Sequence, residues 1–216
     1  MKHGSLIVPG EGCGRVTDMH LALFDFDGTI TNRDSFLDFL HFTFGAVRCA
    51  FGLAVLGPIL ALYAVKLVPN WKAKEAVLRH FLKGWSVDDF KEAAGRYSRE
   101  RLPGIIRGEA LERIEWHRSC GHRIIVVSAS VEEWMRGWCD RYGIGVIGTR
   151  LAVDQGKLTG RINGVNCHGS DKVRRIREKV NLEKYECIYA YGNSRSDVEM
   201  LSLANEQYYN WVKVVG

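Results

Sequence analysis

Hydrophobic and polar positions along this chain alternate between short continuous apolar runs and stretches of helical period, the pattern of strands buried on both faces between covering helices. The run LALF predicts a parallel strand over 20–27 that ends at the turn signal Asp27-Gly28. From about Ser35 to Leu102 every segment reads helical: SFLDFLHFTF, a long apolar run, WKAKEAVLRHFL with Asn70 as N-cap, and VDDFKEAAGRYSRERL with Ser86 as N-cap, closed by Pro103. Strand and helix then alternate. A helix over 105–118 ends near Gly121, the strand HRIIVVSAS follows, and a helix over 131–142 leads through Gly143 to a short strand at 145–149. TRLAVDQGKLTGRI reads as a hairpin around Gln155-Gly156. The basic helix DKVRRIREKV, the strand YECIYAYGN, the helix DVEMLSLA and a final strand QYYNWV complete the chain.

This order predicts an α/β fold: a Rossmann-like, mostly parallel sheet with helices on both faces and an all-helical insertion after the first strand. The expected division is a core of 19–34 and 103–216, a helical cap of 35–102, and a flexible, glycine-rich tail of 1–18, with Met19 a candidate natural start. Sites in such sheets lie at the carboxyl ends of the strands.

Composition changes the picture little. The chain has 216 residues and a formal net charge of +5, which suits an anionic substrate or surface, and it carries no nucleic-acid-binding signature. Six scattered cysteines without a C-x-x-C pair point to a reducing cytoplasm. One segment is unusual: from Cys49 to Val65 there is no charge, with Arg48 and Lys66 at its borders. It is short of the roughly 20 residues that a bilayer crossing needs, and Gly52, Gly57 and Pro58 interrupt it. Three readings stay open for it: packing inside the cap, a dimer surface, or a peripheral contact with an anionic membrane on its inner face. Ten basic against five acidic residues over 66–107 favour the last.

The chemistry gathers after three apolar strands: Asp25-Phe26-Asp27-Gly28-Thr29, then Ser128-Ala129-Ser130, then Gly192-Asn193-Ser194-Arg195-Ser196-Asp197. Parallel neighbours would bring these clusters to one sheet edge. Two carboxylates a residue apart repel, and sharing a divalent cation relieves that; an all-oxygen site suits Mg²⁺. One carboxylate can then attack phosphorus while the other exchanges protons with the leaving oxygen and water. Ser128 and the N–H groups beside it can hold phosphate oxygens, and Lys172 can neutralise developing charge.

DFDGT at 25–29, Ser128 of VVSAS, Lys172 of CHGSDKV and the GNSRSD run at 192–197 resemble, in order and spacing, the four motifs of the haloacid dehalogenase-like phosphohydrolases. The helical insertion between the first two motifs resembles their subfamily IB, which includes phosphoserine phosphatases and a bacterial phosphatidylglycerophosphate phosphatase. The resemblance implies Asp25 as nucleophile and metal ligand, and Asp27 as general acid/base and ligand through its carbonyl. It implies a phosphate clamp of Ser128, Ala129 and Lys172, a metal set completed by Asn193 and Asp197, and a substrate contact at Asp34. Asn193 stands where the family usually has an aspartate, so it offers an amide oxygen without charge. The activity expected is Mg²⁺-dependent phosphomonoester hydrolysis on a lipid-linked phosphate, with a small metabolite such as phosphoserine, or a catalytically weak phospholigand-binding protein, as alternatives. The partner is accordingly a phosphorylated small molecule or a phospholipid headgroup.

Overall fold

The computed structural model describes residues 19–214; the tail expected over 1–18 lies outside them. The first strand is β1 (His20–Phe24), and the insertion that follows comprises α1 (Ser35–Phe44), α2 (Ala46–Val55), α3 (Gly57–Ala64), α4 (Asn70–Leu82) and α5 (Val87–Arg96). The chain continues through α6 (Gly108–Ser119), β2 (Arg123–Val131), α7 (Glu132–Arg141), β3 (Gly145–Thr149), β4 (Leu151–Asp154) and β5 (Lys157–Ile162). It ends with α8 (Ser170–Lys179), β6 (Cys187–Gly192), α9 (Val198–Leu201), β7 (Glu206–Tyr209) and β8 (Val212–Lys213).

Six strands form one sheet in the order β3-β2-β1-β6-β7-β8, parallel except for the edge strand β8. β1 is central: Phe24 pairs with Val126 of β2 on one side and with Tyr191 of β6 on the other. Its alternate residues feed opposite layers, as the two-residue period of a strand requires. Leu21 and Leu23 pack with Ile176, Met200 and Leu201 of α8 and α9, whereas Ala22 and Phe24 pack with the α6, α7 and insertion side. All four are fully buried.

Several local expectations shift. Asn70 is the first residue of α4 after Pro69 and does not cap it, because its side chain is engaged by the Tyr63 hydroxyl and Asn166. Ser86 does cap α5, accepting from the Asp89 amide. The apolar run breaks at Leu56-Gly57 into α2 and α3. Helix α6 begins at Gly108, not 105, since Leu102–Ile105 wind into a separate tight turn at Pro103. The helix expected over DVEMLSLA is reduced to Val198–Leu201. QYYNWV is two strands, reversed at Asn210 and Trp211, which both adopt left-handed backbone.

The two stems of the insertion run side by side: Asn32 N donates to Ile105 O and Arg107 N to Ile30 O, each at 2.9 Å. Above them Asp38 of α1 accepts three hydrogen bonds from the Arg101 guanidinium and one from the Tyr97 hydroxyl, closing the base of the helical block. The β4–β5 hairpin stands apart from the sheet. It lies against the insertion, with Ile162 N donating to Glu75, and Gly84 N to Leu158 O. Gly160 passes so close to Arg79 that a Cβ there would lie 2.5 Å from the Arg79 Cα. In space the hairpin extends the helical block, although its sequence belongs to the core segment.

Behind the sheet, His117 shares hydrogen bonds with His122 (2.7 Å) and the Tyr191 hydroxyl (2.9 Å). Burial, reinforced by His122 and Arg113, pushes the His117 pKa down to about 2. The fold therefore favours the neutral ring. Its contribution is complete above the unfolded-state value of 6.5 and drains away as pH falls below it. Between pH 6.5 and 5, His117 should cost about 2 kcal/mol. Urea titrations at pH 7 and pH 5 are expected to give a smaller acid loss for His117→Gln than for the unmodified chain; equal losses would contradict this account.

Candidate active site

Asp25 directly follows β1, and its amide still donates to Tyr191 O (2.9 Å) before the chain turns away. Gly28 makes that turn with φ +82°, in the left-handed region that side chains disfavour. A side chain is excluded there for a second reason: a Cβ would sit 2.1 Å from the Asn193 amide nitrogen. The fourth motif thus rests directly on the first.

Lys172, in the first turn of α8, is 1% exposed. Its ammonium donates to Asp25 Oδ1 at 2.6 Å and to Asp197 Oδ1 at 2.7 Å. Thr29 donates to the other Asp25 oxygen at 3.1 Å. Burial opposes the charge on Lys172, but the two carboxylates outweigh it and hold its pKa above the ordinary value. Burial raises the Asp25 pKa against the pull of Lys172. Asp197 goes the other way: burial would raise it, yet Lys172 and the Ser194 contacts hold it below the usual carboxylate range. Its Oδ2 also accepts from Asn193 N, Ser194 N and the Ser194 hydroxyl, so both oxygens of Asp197 are engaged within the protein.

Asp27 faces a different set of donors. Ser35 N reaches Oδ1 at 2.7 Å and the Ser130 hydroxyl reaches Oδ2 at 2.5 Å. Burial and the charge of Asp34 nevertheless push its pKa up to about 6. Ser128 is buried and accepts from Ser130 N at 3.0 Å, bracing the loop that contains Ala129. Asp34 caps α1 by accepting from Leu37 N and also lines the cavity in front of Asp27. The expected residues of all four motifs therefore meet at the carboxyl ends of β1, β2 and β6.

The sequence matches the family model of haloacid dehalogenase-like hydrolases over residues 22–202. The chain belongs to that family. This hydrolase is 35% identical over 191 residues to protein CicA of Caulobacter vibrioides, covering 88% of this chain and 85% of that protein. A Mycobacterium tuberculosis protein named as a probable phosphatase is 30% identical over 187 residues, which are 83% of this chain and 64% of that protein. Among solved structures, phosphoserine phosphatase as a phospho-aspartyl intermediate analogue superposes with a TM-score of 0.57 over 89% of this chain and 86% of the other, at 22% identity. That last likeness concerns the fold.

The candidate site of this hydrolase has neighbouring residues that sequence reasoning missed. Ser35 and Ser130 bind Asp27 and share a hydrogen bond with each other (3.0 Å). Lys74 comes from α4 of the insertion, donates to Ala129 O at 2.5 Å and reaches Asn166 at 3.5 Å. Burial, against the pull of Asp27 and Asp34, lowers its pKa to about 8. Ser130 stood in the quoted Ser128-Ala129-Ser130 cluster, whereas Lys74 had no local signal because only the packing of α4 brings it over the loop. Ser130 and Lys74, with Asp27 and Asp34, line a cavity of about 330 Å³, apolar on the side of Phe36, Leu53, Leu60 and Val77.

Lys172→Met would leave Asp25 and Asp197 as buried, uncompensated charges, at a cost of about 3–5 kcal/mol. Both carboxyls then bind protons more readily in the fold. The deficit measured by urea denaturation is expected to shrink from pH 7 to pH 5; a variant as stable as the parent at pH 7 would show that the three groups are not coupled.

Proposed function

We propose that this hydrolase is a Mg²⁺-dependent phosphomonoesterase that works through an aspartyl-phosphate on Asp25. The observation that carries the reading is the Lys172 ammonium bonded to both Asp25 and Asp197, which ties the first, third and fourth motifs into one charged centre. In the first half-reaction a carboxylate oxygen of Asp25 attacks phosphorus, and the ester P–O bond breaks with its electron pair going to the leaving oxygen. Asp27 supplies the proton that oxygen takes up. In the second, Asp27 accepts a proton from water as that water attacks phosphorus, freeing inorganic phosphate and the Asp25 carboxylate. A carboxyl titrating at about 6 can hold and release a proton near neutral pH, as both steps require. Ser128, Ala129 N–H and Lys172 form the phosphate clamp.

The available donors are hard oxygens, in keeping with Mg²⁺. The ligands we assign are the Asp25 carboxylate, the Asp27 carbonyl and the amide oxygen of Asn193, whose amide nitrogen rests against the Gly28 turn. Asp197, with both oxygens engaged, we assign to holding Lys172 in place of the metal role its motif suggested. A Mg²⁺ held by these residues would supply positive charge to offset the negative charge developing on the phosphoryl group.

Residues 35–102 act as a cap over the cavity, and the apolar wall of that cavity favours a lipid-linked phosphate such as phosphatidylglycerophosphate, presented at the inner face of an anionic membrane. A small metabolite of the phosphoserine type is the second reading, supported by the acid Asp34 and the cation Lys74 on the same cavity.

Hydrolysis of an aryl phosphate should require Mg²⁺ and fall by a factor on the order of 10³ or more in Asp25→Asn. Turnover surviving that change would sink the mechanism. A substrate panel is expected to give a higher kcat/KM for phosphatidylglycerophosphate than for phosphoserine; the reverse order selects the metabolite reading. Failure both to bind Mg²⁺ and to capture beryllium fluoride on Asp25 would mark a catalytically weak phospholigand-binding protein.

A further inference from the structure

Helices α2 and α3 depart from the rule for a surface helix, which hides its apolar stripe and turns polar residues outward. On α2, Cys49 and Gly52 face inward, and Gly52 comes so close to α4 that a Cβ would touch Phe81 and His80. The opposite face is Val47, Phe51 and Val55, at helical spacing, exposed by 86%, 70% and 54%. Helix α3 fully buries none of its residues, and Leu60 is only partly buried against the core. The turn after it exposes Val65 and Leu67, and α4 opens with an exposed Trp71. Of sixteen large hydrophobic residues exposed among the described residues, eight fall between positions 47 and 71. That concentration is a patch, not ordinary surface scatter.

We propose that the outer face of α2 and α3, with the turn to Trp71, docks on an anionic lipid bilayer. Charge selects this occupant. No acidic residue lies between Phe39 and Lys74, while Arg48, Lys66 and Lys72 rim the apolar face. A second copy of the chain, paired patch to patch about a twofold axis, would bring those cations against one another with no acid to offset them. Anionic headgroups match them. Lys72 lies over the Trp71 ring at 5.4 Å, and Tyr63 joins its hydroxyl to Asn70, two aromatic residues with one polar end of the kind that settles at headgroup depth. At ten and eight residues, α2 and α3 extend only about 15 and 12 Å. Among the described residues no single helix is long and apolar enough to cross a membrane. The pair therefore lies in the interface plane with its apolar face submerged.

The docking face is continuous with the cavity. Leu53 of α2, and Leu60 and Tyr63 of α3, line the space in front of Asp27. An amphiphilic phosphate can then keep its tail along these residues while its headgroup enters the site. This last step rests on the phosphatase reading; the docking does not.

Sedimentation with phosphatidylcholine vesicles, with and without phosphatidylglycerol, tests the proposal. The unmodified chain should pellet with the anionic vesicles, less so at high salt. The double variant Val47→Asp with Phe51→Asp should reduce binding about tenfold or more, and Lys66→Glu with Lys72→Glu should also weaken it. Both should hydrolyse a soluble aryl phosphate at the unmodified rate, which reports that they fold. A chain that stays in the supernatant with anionic vesicles, or binding that survives Val47→Asp with Phe51→Asp, overturns the docking. So does a concentration-dependent dimer, seen by light scattering and abolished by the same double variant, without vesicle binding. Vesicle binding with no aryl phosphate turnover would instead defeat the phosphatase reading and leave the docking intact.

Discussion

A buried ammonium held between two carboxylates organises this molecule. Lys172 arrives from α8, Asp25 from the end of β1 and Asp197 from the loop after β6, and their contacts of 2.6 and 2.7 Å leave little room for any strand to slip. Burying three charges is costly, and the cost is tolerable only while all three stay together. The rest of the site follows from that constraint. The loop after β6 must wrap Asp197, which sets Asn193 against Gly28, and Gly28 must lack a side chain for Asn193 to fit.

Asp25 and Asp27 are separated by one residue and live in different environments. Asp25 meets a cation and the Thr29 hydroxyl, whereas Asp27 meets two serines, an amide and the nearby charge of Asp34. A strand with a two-residue period would have given both the same surroundings. The turn at Gly28 breaks the equivalence, which is what the separate roles proposed for the two acids require.

The central sheet was readable because its strands are continuous apolar runs ending in polar clusters, and a parallel sheet brings such ends together. The same logic brings Asp25, Ser128 and Asp197 to one sheet edge, whereas Lys172 was picked out by its place at the start of the basic helix and by the family resemblance. What the sequence concealed is where elements far apart in the chain meet. Lys74 carries no motif, and only the docking of α4 on the Ala129 loop reveals it. The hairpin at 151–162 was recognisable from Gln155-Gly156, but nothing local says that it lies on the insertion and not in the sheet. The ending QYYNWV read as one strand because Asn210 and Trp211 carry no glycine to announce the left-handed turn they make.

The position of that hairpin bears on how substrate enters. A helical block joined to a sheet by two adjacent strands of backbone would swing like a door on one hinge. Here the block is also gripped by β4 and β5, whose own ends return to the sheet domain at positions 149–151 and 162–167. Four chain crossings, spread over two places, restrain it like a hood latched at both edges. A free swing is thereby disfavoured, and Leu53 and Leu60 are held over the cavity they line.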